Sequence, residues 1–325
     1  MYDVIGDIHG CADELVQLLE LLGYREQHGV YRHPARRVLF CGDFIDRGPR
    51  IRDVLRICQG MCENDSALAV LGNHELNALA FHTPHPEPGG GWLRARSEQN
   101  VRQHRATLDQ LDERDFAVAL DWFRRLPASL DLGALRAVHA CWDPVDLRVM
   151  SDLAELEGWL SAAWLRRAFD ANDRLFAAVE RVLKGPEVQL PGGLRLLDRE
   201  GHARGRARIR WYEEPGERSC GEYLFPAVAH AELVGVGVPA TVRPCPYPAD
   251  APPLFFGHYW LADATPAPLA ANLACLDYSV ARGGQLAAYR FTGERVLRAG
   301  AFVTVRRRED REWSSAAGAG ALRGH

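Results

Sequence analysis

Oxygen- and imidazole-bearing residues fall directly behind short apolar runs, and this placement constrains the fold more than any other feature of the chain. Tyr2–Ile5 is followed by Gly6-Asp7-Ile8-His9-Gly10, and Arg37–Cys41 by Gly42-Asp43-Phe44-Ile45-Asp46-Arg47-Gly48-Pro49. Ala67–Leu71 is followed by Gly72-Asn73-His74-Glu75, His139 lies at the end of Leu135–Ala140, and Gly257-His258 follows Leu254–Phe256. Runs this short and apolar read as strands, whereas Ala12–Leu22, Ile51–Cys62 and Glu75–Phe81 carry helical spacing between them. The alternation predicts an α/β fold with a parallel or mixed sheet under helices. In such sheets the carboxyl ends of the strands line one edge, where ligands bind. Five strand ends are thus expected to deliver their polar residues to one place.

The types of those residues indicate the chemistry. Carboxylate, amide and imidazole donors without thiolate suit Mn, Fe, Zn or Co rather than a cysteine-zinc structural site. A single aspartate can bridge two ions about 3.5–4 Å apart, the spacing used for in-line displacement at phosphorus. The glycines beside the ligands are expected to let the backbone turn sharply and approach the metals closely. None of the eight cysteines forms a Cys-x-x-Cys pair, and they read as reduced thiols of a cytoplasmic protein.

Composition narrows the function further. The 325 residues carry a formal net charge of −4, so there is no global basic field and nucleic acid is not an expected partner. No run approaches the ~18–20 apolar residues of a membrane helix. Nothing before Asp7 reads as a secretory leader, so a cytoplasmic location is expected.

Asp-x-His, Gly-Asp-x-x-Asp-Arg-Gly, Gly-Asn-His-Glu and two later histidines, in that order, resemble the calcineurin-like metallophosphoesterases. Their phosphoprotein-phosphatase branch, which includes serine/threonine phosphatases and symmetric diadenosine tetraphosphatases, is the most similar. The resemblance implies a four-layer α/β/β/α sandwich with two mixed sheets and a dinuclear site at the strand ends. It implies that Asp7, His9 and a bridging Asp43 hold one divalent ion, and that Asp43, Asn73, His139 and His258 hold the other. Mn is the first expectation for both, with Fe, Zn, Co or Ni as alternatives. His74 would be the general acid oriented by Asp46, Arg47 would clamp the phosphate, and a metal-bridging water would attack phosphorus. The branch also implies a second phosphate-binding arginine, for which Arg206, Arg208 and Arg210 are candidates. Leu276-Asp277-Tyr278-Ser279 with Gly283-Gly284 is similar to the branch's strand hairpin behind the last histidine.

Three substrate readings follow. A protein serine/threonine-type phosphatase comes first, because Asp46-Arg47-Gly48 and Gly72-Asn73-His74-Glu75 are intact. A dinucleoside polyphosphate or nucleotide hydrolase is the alternative, and a metal-binding regulatory module without turnover the third. His82, His85 and His104 read as loop or helix surface, and Glu75 as a helix-start carboxylate. Arg204–Arg210 reads as a solvated charged face or an anion site. Trp92, Trp122, Trp142, Trp159 and Trp164 read as packing, with room for one to stack on a substrate ring. The domain is expected over residues 1–305, with a cap or insertion at 151–253 and a disordered tail over 306–325.

Overall fold

The structure, a computed structural model, describes residues 1–87, 89–197, 203–261 and 265–307. Two sheets pack face to face between helical layers. In the first, strands Tyr2–Ile5, Arg37–Phe40 and Ala67–Ala69 run parallel, with Ile5 beside Phe40 and Phe40 beside Ala69. Gln285–Phe291 joins Tyr2–Ile5 antiparallel and is flanked by Phe302–Arg306 and Asp277–Tyr278. In the second, Leu254–Phe256 lies parallel between Arg136–Val138 and Leu273–Cys275, and Ser129–Asp131 closes the edge antiparallel.

The strand pleat sorts the two cores. Val4, Leu39, Ala137, Phe255, Ala274 and Tyr289 point between the sheets, where they pack together and exclude water. Their neighbours Ile5, Val38, Phe40 and Phe256 point outward beneath the helices. Alternation of this kind is what a strand buried on both faces requires. Each large apolar side chain so buried contributes about 1.5–3 kcal/mol before entropy is counted. Helix Ile51–Glu63 turns Ile51, Val54, Leu55, Cys58 and Met61 inward, a stripe at helical spacing.

The segment Leu273–Tyr278 changes sheets. Leu273–Cys275 pairs in the second sheet, and Asp277–Tyr278 pairs in the first. Helices Pro144–Glu157, Ala162–Ala168 and Arg174–Lys184 lead into and form the first part of the expected insertion. Glu187–Gln189 and Arg206–Arg208 then form a two-stranded ribbon, so part of the basic run is a strand. Arg306 ends its strand, and Arg307 donates its backbone N–H to Gly284 O at 3.0 Å. Residues 308–325 of the expected tail lie outside the described residues. No helix among the described residues is long and apolar enough to cross a membrane.

Candidate active site

The parallel strands place Asp7, Asp43 and Asn73 beyond their carboxyl ends on one edge, and the second sheet brings His139 and His258 beside them. The backbone there is strained at the polar residues themselves. His9, Asp43, Asp46, Arg47 and His258 all have positive φ, between 45° and 73°. Side-chain-bearing residues rarely adopt that region, which costs on the order of 1–3 kcal/mol each and clusters at functional sites. Gly72 and Gly257 serve close approach, not turning. A Cβ on Gly257 would lie 1.8 Å from Asp7 Oδ1, and one on Gly72 would lie 2.3 Å from Asp43 Oδ1.

Asp43 stands at the centre. Its Oδ2 is 3.4 Å from His9 Nε2, and its Oδ1 is 3.4 Å from His139 Nε2 and accepts the His74 backbone N–H at 3.0 Å. Two sets of ligand atoms lie within 4.8 Å of one another, His9–Asp43–His74 and Asp43–His139–His258, and Asp43 belongs to both. Asn73 Oδ1 lies 3.0 Å from His139 Nε2, and Asp7 Oδ2 accepts the His258 N–H at 3.0 Å. The remaining ring nitrogens are fixed from behind: His9 Nδ1 meets Ile45 O at 2.8 Å and His139 Nδ1 meets Cys41 O at 2.8 Å. Such backing sets the tautomer that leaves Nε2 free to ligate.

The donor set fits a pair of divalent cations. Asp7 Oδ1 and His258 Nε2 are buried without a hydrogen-bond partner, a state that costs about 1–3 kcal/mol per group. Burial, together with Asp277 and Asp43, drives the Asp7 carboxyl well above the usual carboxylate range. Burial alone would lower His139, but the Asp43 carboxylate beside it pushes the imidazole up to about 10. Without an ion, a proton thus sits where positive charge is needed. Burial would likewise raise Asp43, yet His139 and His74 hold it well below its ordinary value.

His74 Nδ1 lies 2.5 Å from Asp46 Oδ2, while its Nε2 faces Arg47 at 3.3 Å and Asp43 Oδ2 at 4.0 Å. Arg47 also reaches His9 Nε2 at 3.1 Å and lies over the Trp260 ring at 4.2 Å. Glu75 does more than begin its helix. Its buried carboxylate accepts the backbone N–H groups of Gly72, Asp43 and Phe44 at 2.8–3.1 Å, locking two of the strand-end loops together.

His104 departs from the expected helix surface. It is buried, and its Nδ1 meets Asp46 Oδ1 at 2.7 Å. Its helix turns that face inward onto the Asp46 loop, a docking that helical spacing alone does not reveal. Asp277 and Trp260 were also missed as site residues. Asp277 lies two positions behind a parallel strand, the signal that marks Asp7, but the chain's change of sheet hides that strand's end. The expected packing role holds for Trp122, Trp142 and Trp164, which are buried.

The three candidate arginines separate. Arg208 donates to His258 O at 3.3 Å. Arg206 is exposed and pairs with Glu187 at 3.4 Å, and Arg210 turns to Glu213 at 3.6 Å and to Glu222 O. Over the site opens a cleft of about 1670 Å³, walled by helix Glu98–Gln110 on one side and residues of 184–197 and 203–228 on the other. Among the described residues its lining holds three carboxylates, Asp43, Asp109 and Glu187, against many more cations, among them Arg47, Arg94, Arg102, Arg204, Arg206 and Arg208.

Residues 2–202 match the calcineurin-like phosphoesterase family. An asymmetrical bis(5′-nucleosyl)-tetraphosphatase of Halalkalibacterium halodurans is 47% identical over 74 residues, 22% of this chain and 30% of that protein. A symmetrical bis(5′-nucleosyl)-tetraphosphatase of Vibrio cholerae is 32% identical over 141 residues, 43% of this chain and 44% of that protein. The chain thus spans less than half the length of these relatives. A protein serine/threonine phosphatase of Saccharomyces cerevisiae with similarity to human phosphatase PP5 superposes with a TM-score of 0.49 at 13% identity, covering 96% of this chain and 81% of that one.

Proposed function

The chain belongs to the calcineurin-like phosphoesterase family, and from that premise we propose that it hydrolyses a phosphoanhydride bond in a nucleotide of the dinucleoside polyphosphate class. The cleft carries this reading: its volume far exceeds a phosphomonoester group, and its walls are lined by arginines on both sides. A substrate with several phosphates in a row presents negative charge along such a track, and guanidinium groups match phosphate oxygens in pairs. The tetraphosphatase relatives support the same class.

Asp7, His9 and Asp43 would hold one divalent ion, and Asp43, Asn73, His139 and His258 the other. Bound ions lower the pKa of a water and neutralise phosphoryl oxygens. Arg47 and Arg208 orient the phosphate from two sides. As the water oxygen bonds to phosphorus and the bond to the leaving oxygen breaks, His74 donates its Nε2 proton to that oxygen. Asp46 holds the ring on Nδ1 throughout.

The test compares kcat/KM of the Mn-loaded protein for diadenosine tetraphosphate and for a phosphoserine peptide. A preference of at least about tenfold for the dinucleotide, ~1.4 kcal/mol, is expected. Preference for the peptide replaces this reading with the protein phosphatase, which the intact Asp46-Arg47-Gly48 motif favours. No turnover of either substrate or of p-nitrophenyl phosphate leaves the regulatory module.

A further inference from the structure

We propose that His104 and Thr107, carried on helix Glu98–Gln110, are positioning residues that fix the Asp46 carboxylate and, through it, aim His74 at the leaving oxygen. This rests on the reading of His74 as the proton donor. The geometry is a chain of hydrogen bonds through one carboxylate. Asp46 Oδ2 meets His74 Nδ1 at 2.5 Å, and Oδ1 meets both His104 Nδ1 at 2.7 Å and Thr107 Oγ1 at 2.5 Å. Thr107 Oγ1 also accepts the Asp46 backbone N–H at 3.0 Å, so one hydroxyl grips both ends of the residue.

That grip falls where the chain needs it, because Asp46 has a φ of 66° and its backbone would relax without a restraint. A carboxylate with one partner can rotate about its χ2, whereas one held on both oxygens cannot. The same helix secures the following residues, with Gln110 accepting the Ile51 N–H at 2.7 Å and donating to Gly48 O at 2.9 Å.

Tautomers follow from the network. Burial would raise Asp46, but the hydrogen bonds from His104 and His74 hold it far below the usual carboxylate range, so it accepts from both rings. His104 therefore carries its proton on Nδ1. Its Nε2 faces His82 Nε2 at 3.4 Å, and the ring packs between Phe81 and Phe116 at 5.2 and 6.1 Å. His104 and Thr107 are both buried and lie about one helical turn apart, on the face their helix turns toward Asp46. A buried imidazole and hydroxyl spent on one carboxylate, itself spent on one more imidazole, amount to more than helix docking needs, since apolar contacts alone would dock it.

The experiment uses the Mn-loaded protein and two aryl phosphates. p-Nitrophenolate leaves readily as an anion, whereas phenolate is a poorer leaving group that benefits from a proton. His74→Asn defines the acid's signature as a larger loss on phenyl phosphate. His104→Phe keeps the ring and its packing but removes the donor, and should lower kcat on phenyl phosphate about tenfold, as loss of a supporting partner does. Its loss on p-nitrophenyl phosphate should stay within about twofold. His104→Asn retains a donor near the Nδ1 position and should recover most of the rate. The double variant with His74→Asn should lose no more than His74→Asn alone, because both act through one proton. Should His104→Phe fold poorly, Thr107→Val should give the same selective pattern at smaller size.

Equal losses on both substrates for His104→Phe, or additivity with His74→Asn, would overturn the positioning role. Equal losses for His74→Asn itself would instead remove the acid reading beneath it.

Discussion

Asp3 lies in the first strand and Asp7 just beyond its end, both buried, and they are neutralised in opposite ways. Asp3 is closed off by its own chain. Arg36 Nε donates to it at 2.8 Å, Arg290 lies at 3.3 Å and the Tyr24 hydroxyl at 3.1 Å. Arg36 Nη2 donates to the carbonyls of Tyr2 and Phe291, and Nη1 lies 3.5 Å from Met1 Sδ. Among the described residues no arginine pairs with Asp7. Its strongest influences after burial are the like charge of Asp277 and the imidazole of His139. The contrast distinguishes a buried carboxylate that holds a fold together from one arranged to receive a cation from outside. The first is ion-paired by arginines of its own chain, although its Oδ1 makes no hydrogen bond; the second is a cost the metal-free chain bears.

The largest expected effect breaks the second cluster. Asp43→Asn should reduce hydrolysis to the level of the blank and bring metal content below one ion per chain, since Asp43 belongs to both donor groups. Two ions still bound in this variant would refute the bridging role.

Asp3→Asn should do the reverse. Breaking a buried pair leaves Arg36 uncompensated at a cost of about 3–5 kcal/mol, read as a shifted denaturant midpoint, while metal content and kcat stay as they were. Lost metal in the Asp3 variant, with stability intact, would erase the distinction between the two clusters.

The two clusters were unequally legible. Asp7, His9, Asp43, Asn73 and His74 stand out in the sequence because each lies within a few residues of a strand end, so local pattern alone places them. His139 and His258 are found by the same rule, and the structure brings both to Asp43. His104 and Thr107 are not, because their link to Asp46 spans 58 and 61 residues and depends on how a helix docks. Arg36 is equally silent in sequence, since its partners come from Asp3, Tyr2 and Phe291. Choosing Arg208 over Arg206 and Arg210 required the ribbon Glu187–Gln189/Arg206–Arg208, which weak, glycine-interrupted patterning did not reveal. The insertion's relation to the site is a matter of packing between segments far apart in the chain, which periodicity does not encode.

A smaller effect concerns protons. His139 keeps its proton up to about 10 in the metal-free chain because Asp43 outweighs the burial that would strip it. Its folded pKa is raised, so its contribution to metal-free stability is fully present below the unfolded value near 6.5 and is lost as pH rises through about 10. An ion needs the neutral ring, so binding should release about one proton at pH 8, and affinity should rise with pH over that window. Calorimetric titration in buffers of differing ionisation enthalpy counts the proton. A count of zero at pH 8 would show that Asp43 does not hold His139 charged.

The smallest effect extends the comparison from carboxylates to arginines. Arg36 is engaged by a carboxylate and two carbonyls away from the cleft, whereas Arg208 meets the carbonyl of His258, next to the ligand cluster and at the cleft wall. A guanidinium so placed keeps its charge available to an incoming phosphate. Arg208→Ala should therefore lower kcat/KM for a polyphosphorylated substrate about tenfold, in line with about 1.5–3 kcal/mol for a charged hydrogen bond reduced by partial exposure. Arg208→Lys should recover only part of this, since an ammonium lacks the planar fork. Arg206→Ala loses its pair with Glu187, and Arg210→Ala its contacts with Glu213 and Glu222 O; neither partner set touches the ligand cluster, and each should stay within about twofold. Raised salt should shrink the Arg208 effect less than that of Arg206, because Arg206 is exposed and Arg208 is half-buried. Should Arg206→Ala instead carry the larger loss, the anion track would run along the outer face of the ribbon, and Arg208 would be a tether for the His258 loop.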